Sequence, residues 1–204
     1  MGALLYISQV TRPDIAYATT VLSRYLQCPG KDHIDACKYL IRHCIGTRTL
    51  GLKYHGSGPR QGVGNKLTAF ADAAFADDVT TRSSTCGFVV MLNGAAVAWQ
   101  SKLTKTAVLS TTQAEVSALV AVTKELMGLR VMMDELGYPQ RGSSHVGQDN
   151  QGAIAQARGV KHGRRAKHYL VQLHWMKQKV AAGDVHLSYV KTNDMAADLM
   201  TKAL

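Results

Sequence analysis

Leu67-Thr68-Ala69-Phe70-Ala71-Asp72-Ala73-Ala74-Phe75-Ala76 is apolar at every position but two, and one of those two is an acid. The run reads as a strand, and aspartate is depleted in strands. Asp72 is therefore either an edge residue or a working one; it shares a strand face with Thr68, Phe70 and Ala74. Downstream, Cys86–Leu92 is rich in strand formers and leads into Asn93-Gly94, a strong hairpin signal, with Ala95–Ser101 as the partner strand. Ser110–Leu136 is the clearest helix. Leu119, Val122, Leu126, Leu129, Met133 and Leu136 recur at steps of three and four, Ser110 and Gln113 form a capping-box pair, and Gly137 is the stop. A short strand at Ser144–Asp149, helices at Gln151–Arg158 and Lys167–Ala182, a strand at Val185–Val190 and a final helix at Asn193–Leu204 complete the order. From residue 65 this is β-β-β-α-β-α-α-β-α, which predicts a mixed sheet with helices on its faces.

Upstream the pattern is helical. Arg12-Pro13-Asp14 opens a helix, with proline suited to the first turn, and Cys28-Pro29-Gly30 stops it. A second helix runs from Lys31 to Ile45 and ends at Gly46. Leu50–Tyr54 reads as a short strand, and the polar, glycine-rich 57–65 stretch as a linker. The expected organisation is a helical segment at 1–56, the linker, and an α/β domain at 66–204. Gly2–Ser8 looks like the middle of a structure, so the chain is expected to be a piece of something longer.

Three further acids lie where acids are not expected. Stepping back from Leu119 by four and from Val122 by seven lands on Glu115, which puts it on the apolar stripe of the long helix. The helix macrodipole accounts for a first-turn glutamate but not for one facing the core. Asp149 ends a strand and opens a helix, where it could serve as an N-cap. Asp198 lies early in the last apolar segment, with Asp194 as a nearby competitor. Two strand ends and two helix starts can converge on one edge of a sheet.

The 204 residues are 46% hydrophobic and carry 24 Lys plus Arg against 14 acids, a net charge of +10. That excess points to a polyanionic partner. It is concentrated: no acid occurs from Asn150 to Gly183, where Arg158, Lys161, Arg164, Arg165, Lys167, Lys177 and Lys179 all fall. This basic run is expected to track a nucleic-acid backbone. Cys28, Cys37, Cys44 and Cys86 have no C-x-x-C spacing and read as free thiols of a reducing compartment. No stretch approaches the ~20 apolar residues of a membrane span, so no membrane partner is expected, and no basic leader precedes an apolar run.

Gathered carboxylates repel one another unless a cation sits among them. Mg²⁺ is hard and takes oxygen ligands, and a pair of such ions about 4 Å apart supports phosphodiester cleavage. None of the histidines has H-E-x-x-H spacing, which disfavours zinc hydrolysis. Asp72, Glu115, Asp149 and Asp198 are thus candidate ligands of Mg²⁺.

At these residues the chain resembles the ribonuclease H region of copia-type LTR-retrotransposon polyproteins, with the segment joining it to reverse transcriptase. Thr11-Arg12-Pro13-Asp14-Ile15-Ala16 is similar to that family's T-R-P-D-I stretch, and Phe70-Ala71-Asp72 to its first catalytic strand. Arg82-Ser83-Ser84-Thr85-Cys86-Gly87 resembles its R-[KR]-S-T-[ST]-G turn. Ser110–Glu115 resembles S-[ST]-[ST]-x-A-E, and Asp149–Ala153 resembles D-N-Q-[GS]-A. Arg165–His168 and Ala197–Lys202 resemble R-[ST/A]-K-H and A-D-[IL]-x-T-K. The match spans nearly the whole chain, in order.

The resemblance implies a ribonuclease H-like fold with a mixed five-stranded sheet. It implies Asp72, Glu115, Asp149 and Asp198 as catalytic, metal-binding carboxylates for two Mg²⁺ or Mn²⁺ ions, cutting the RNA strand of RNA–DNA hybrids. Arg158, Lys161, Arg164, Arg165, Lys167, Asn150 and Gln151 would contact nucleic acid, and His168 and His186 are possible accessories. The remainder of the reverse transcriptase polyprotein is the implied protein partner, in the cytoplasm, the nucleus or a virus-like particle. Strand choice would come from the 2′-OH. The chain departs from the family at Ala74 and Phe75, where Asp and Trp are usual, at Tyr169 and Leu170, where Ile and Asp are usual, and at Val116, where Tyr is usual. The alternative is a diverged or domesticated module that binds hybrid or RNA with little catalysis; a third reading is a structural piece of the polyprotein. The polymerase Tyr-x-Asp-Asp motif is absent.

Overall fold

The computed structural model describes residues 1–55, 65–78, 80–104, 108–159 and 169–203. The expected linker lies outside them except for Asn65, as do Lys161, Arg164, Arg165, Lys167 and His168. Strand β1 (Leu67–Ala74) is central in a five-stranded sheet of order β3-β2-β1-β4-β5. It is antiparallel to β2 (Thr85–Leu92), which pairs antiparallel with β3 (Ala95–Leu103). On its other side it runs parallel to β4 (Ser144–Gln148), which is parallel to β5 (Val185–Tyr189). Asn93 (φ 52°) and Gly94 (φ 89°) close the hairpin. Two positive φ values in succession are what a tight turn matching the strand twist requires.

The inner face of the sheet carries the main core. Leu67, Ala69 and Ala71 of β1 face α4 (Thr111–Glu135), whose Val116, Leu119, Val122 and Leu126 are wholly buried. Helices α5 (Gln151–Ala157) and α6 (Leu170–Ala181) extend that layer with Ala153, Ile154, Ala157, Leu173 and Met176. The stop at Gly137 (φ +84°) is as expected. The capping box is only half formed. Ser110 accepts from the Gln113 N–H at 3.2 Å, while the Gln113 side chain takes the Leu109 N–H at 3.0 Å instead of that of Ser110.

Three helices precede the sheet: α1 (Gly2–Val10), α2 (Ala16–Ser23) and α3 (Lys31–Gly46). They share a small core of Leu4, Ile15, Leu22 and Leu40. Arg12 grips both oxygens of Asp14 at 2.8 and 2.6 Å and also Thr47, while His43 meets Asp14 at 2.9 Å, so the Arg-Pro-Asp turn is fastened to α3. This layer lies on the outer face of β2 and β3. Trp99 Nε1 donates to the Ser8 carbonyl at 2.7 Å, Thr20 Oγ1 to the Ser101 carbonyl at 3.2 Å, and Arg24 pairs with Asp78 at 2.9 Å.

Two expected elements differ. Leu50–Tyr54 is not a strand: it crosses the hairpin on a Tyr54 hydroxyl bond to the Ala96 carbonyl (2.7 Å) and a His55 N–H bond to the Asn93 carbonyl (2.9 Å). Leu52 packs over the sheet face and Leu50 is exposed, so no ladder forms. The final helix is replaced by two 3₁₀ turns, Thr192–Asp194 and Ala196–Met200, separated by extended Met195 (ψ 98°). Met195, Ala197 and Met200 are all buried. Positions two apart on an α-helix point about 200° apart, so one helical stripe cannot bury both 195 and 197, and the broken turns can. Among the described residues no helix is long and apolar enough to cross a membrane.

Gly87 lets this C-terminal turn approach the sheet. A Cβ there would lie 2.5 Å from Met200 Cβ and 2.8 Å from Thr201 Cγ2. Gly87→Ala is therefore expected to cost about 1–3 kcal/mol, read in thermal melts as a fall of roughly 3–10 °C. An unchanged melting temperature would mean that the turn is not seated on β2 as described.

Candidate metal centre

Asp72, two residues before the end of β1, is 5% exposed and faces Gly87 across the ladder. The absent side chain at Gly87 leaves room for Thr201, whose hydroxyl donates to the Asp72 carboxylate. Burial raises the Asp72 pKa; the Thr201 hydroxyl opposes this, while the charges of Asp198 and Asp149 add to it. A lone strand acid at a solvated edge is thereby excluded: β1 is the central strand.

Glu115 is 7% exposed. Because α4 begins at Thr111, Glu115 is in its second turn and not its first. The macrodipole, which acts within the first turn, therefore does not explain it. Gln148 Nε2 donates to its carboxylate at 3.1 Å, and the Ala73 N–H also bonds it. Burial first, then the charges of Asp72 and Asp149, push its pKa up to about 8.

Asp149 directly follows β4 and does not cap α5. Asn150 does so, its side chain accepting from the Ala153 N–H at 3.0 Å. Asp149 is left to accept from the Thr192 hydroxyl at 3.2 Å. Asp72, Glu115 and Asp149 each offer a carboxylate oxygen, and the three lie within 4.8 Å of one another at the carboxyl ends of β1 and β4. Asp198 is not in this triad. Its Oδ2 pairs with Lys202 at 2.6 Å, and its Oδ1 is buried without a hydrogen-bond partner among the described residues.

The pattern of acids did not reveal Gln148 and Thr201. Gln148 is wholly buried, its amide on Glu115 and its oxygen taking the Asp149 and Asn150 N–H groups at 2.7 and 3.0 Å. Its signal was parity: Ser144, Val146 and Gln148 share the inward face of β4, and a buried amide must find partners. Of the expected nucleic-acid contacts, Gln151 is exposed, Asn150 is the cap, and the Arg158 guanidinium donates to the Leu187 carbonyl of β5. His186 is exposed and sits beside His145, four residues before Asp149 in register. At about 3.3 Å per residue that is on the order of 13 Å from the acids. Cys86 is buried, and burial followed by Glu115 pushes its thiol up to about 12, so it is no thiolate nucleophile. Cys37 and Cys44 are half-buried and Cys28 is exposed. Tyr169 is buried with its hydroxyl on Gln156 (2.8 Å), and Leu170 is exposed.

The donor set is all carboxylate oxygen, which suits a hard divalent cation. Burial and the neighbouring carboxylates raise the pKa values of Asp72 and Glu115, and the buried Asp198 Oδ1 has no hydrogen-bond partner among the described residues. The residues present fit such an ion.

No family model matches the chain. All 204 residues align at 37% identity with the retrovirus-related Pol polyprotein from transposon TNT 1-94 of Nicotiana tabacum, and at 32% with that from transposon RE2 of Arabidopsis thaliana. The chain spans only 15% and 14% of those relatives' lengths. A 131-residue part, 64% of the chain, is 40% identical to the secreted RxLR effector protein 161 of Plasmopara viticola and covers 89% of it. Among solved structures, LC11-RNase H1 from compost superposes with a TM-score of 0.50 at 18% identity, covering 67% of this chain and 92% of that one. At that identity the likeness is one of fold.

Proposed function

Because this chain belongs to the Pol polyproteins of copia-type LTR retrotransposons, as their ribonuclease H-fold portion with a helical segment before it, we propose that it is an endoribonuclease acting on the RNA strand of RNA–DNA hybrids. The observation that carries this reading is the convergence of Asp72, Glu115 and Asp149 within 4.8 Å. These three, with Asp198 beside them, would hold two Mg²⁺ or Mn²⁺ ions. Bound ions of this kind supply activation of water and stabilisation of the leaving oxygen. The chain's own residues do the holding. Gln148 and the Ala73 N–H orient Glu115, Thr201 orients Asp72, and Asn150 takes over the helix cap so that Asp149 is left free of it. The basic excess from Arg158 to Lys179 supplies attraction for the hybrid backbone. In this reading the chain comprises a helical segment at 1–56 and a ribonuclease H-like unit at 66–204, working beside the remainder of the polyprotein.

Incubation with a hybrid labelled on each strand, in Mg²⁺, Mn²⁺ or EDTA, tests this. The RNA strand is expected to be cut with either ion and not in EDTA, and the DNA strand to stay whole. Tight hybrid binding without cutting in any ion would favour the second reading, a domesticated binding module. The likeness to an effector protein and the replacements at Ala74, Phe75 and Leu170 speak for that reading.

A further inference from the structure

The Ala196–Met200 turn has little to hold it in shape by itself. Five residues of 3₁₀ helix are short of self-supporting structure. Its place is set by what lies on each side. On one side is Gly87, whose missing Cβ admits Met200. On the other is the N-terminal layer: Ala16 at the start of α2 packs with Met200, Val89 and Ala96 in one buried cluster, with Leu52 and Trp99 at its margin. The next residue, Thr201, is 2% exposed and donates to Asp72. Asp198 lies within the same turn.

We propose that the N-terminal helices are a positioning device for the acid site: by pressing Met200 into the notch at Gly87, they hold the Thr201 hydroxyl on Asp72. A donor fixed on one carboxylate oxygen sets the rotation of the whole group, and with it the direction of its remaining lone pairs. Thr201, Met200 and Ala16 are thus positioning residues, and the first 55 residues serve the same chemistry as the carboxylates. The inference rests on reading Asp72, Glu115 and Asp149 as metal ligands.

The test uses the full chain and Mn²⁺ alone, titrated calorimetrically into the parent and into four folded variants, with a melting curve for each. Thr201→Val keeps the side-chain shape and removes the hydroxyl; it is expected to weaken Mn²⁺ binding by about 10- to 100-fold, the range for partners that orient metal ligands. Thr201→Ser restores the donor and should stay within about threefold of the parent on the same grounds. Ala16→Leu, which overpacks Met200 from the N-terminal side, should weaken Mn²⁺ in the manner of Thr201→Val. If it does not fold, Met200→Ala, which loosens the turn without adding bulk, takes its place. A Thr201→Val variant, or an Ala16→Leu or Met200→Ala variant, that folds and binds Mn²⁺ as the parent does would overturn the inference and leave the metal reading standing. A parent that binds Mn²⁺ no better than its Asp72→Asn variant would overturn both.

Discussion

Asp72→Asn is expected to fold, to lose hybrid cleavage by about three orders of magnitude or more, which is about 4 kcal/mol of barrier, and to melt a few degrees higher in EDTA at pH 8. The two effects share one cause. Carboxylates within 4.8 Å repel by about 3 kcal/mol per pair at an effective dielectric near 20. Proton uptake and screening relieve most of this and leave about 1 kcal/mol, or roughly 2–4 °C for a chain of this size. Mg²⁺ should raise the parent's melting temperature by mass action and raise that of the variant less. Paired melts with and without Mg²⁺, beside turnover on hybrid, check both halves. Identical melting of parent and variant under both conditions would mean that the carboxylates do not act as one site.

In EDTA the parent is expected to lose stability between pH 5 and pH 8, and Glu115→Gln to lose much less. The folded Glu115 has its pKa pushed up to about 8 from an ordinary 4.5. Across that window the folded protein keeps a proton that the unfolded chain releases. The contribution is therefore whole below about 4.5 and is lost as the pH rises through 8. Asp72, also raised, acts in the same direction. One pKa unit is worth about 1.4 kcal/mol, which caps the Glu115 effect at roughly 5 kcal/mol. His145 works in the opposite sense below about 6.5, because burial and His186 lower its pKa. The difference between parent and variant in urea midpoint, taken at successive pH values, isolates Glu115. A difference that does not change from pH 5 to pH 8 would show that the folded glutamate ionises as an ordinary one.

The elements that alternation and helical spacing describe well were legible in the sequence. β1, the Asn93-Gly94 hairpin and the stripe of α4 follow from local pattern and turn chemistry, and their order gives the mixed sheet. Asp72 and Glu115 stood out because each conflicts with its local pattern, whereas Asp149 and Asp198 had ordinary readings at helix starts and stood out only jointly with them. What local pattern cannot record is close approach. Met195, Ala197 and Met200 read as a helix because they are apolar, yet all three are buried, on two 3₁₀ turns broken by extended Met195 and seated at Gly87. Thr201 and Gln148 acquire their roles from partners 129 and 33 residues away, and nothing in their neighbours' sequence marks those pairings. Leu50–Tyr54 has strand composition, yet it crosses the β2–β3 hairpin and joins no ladder.

Asn150 caps α5, and Asp149 beside it is spared that task. The helix would therefore form equally well with asparagine, serine or alanine at 149. On the proposed reading, genomic copies of such a chain would decay in silence: the acid would be lost, the shape would persist, and relief of crowded charge would reward the loss with a firmer fold. Drift toward sturdiness and drift toward inertness would then run the same way. An intact outline in a descendant copy would be no witness to living chemistry, and the residue at 149 would be the place to look first.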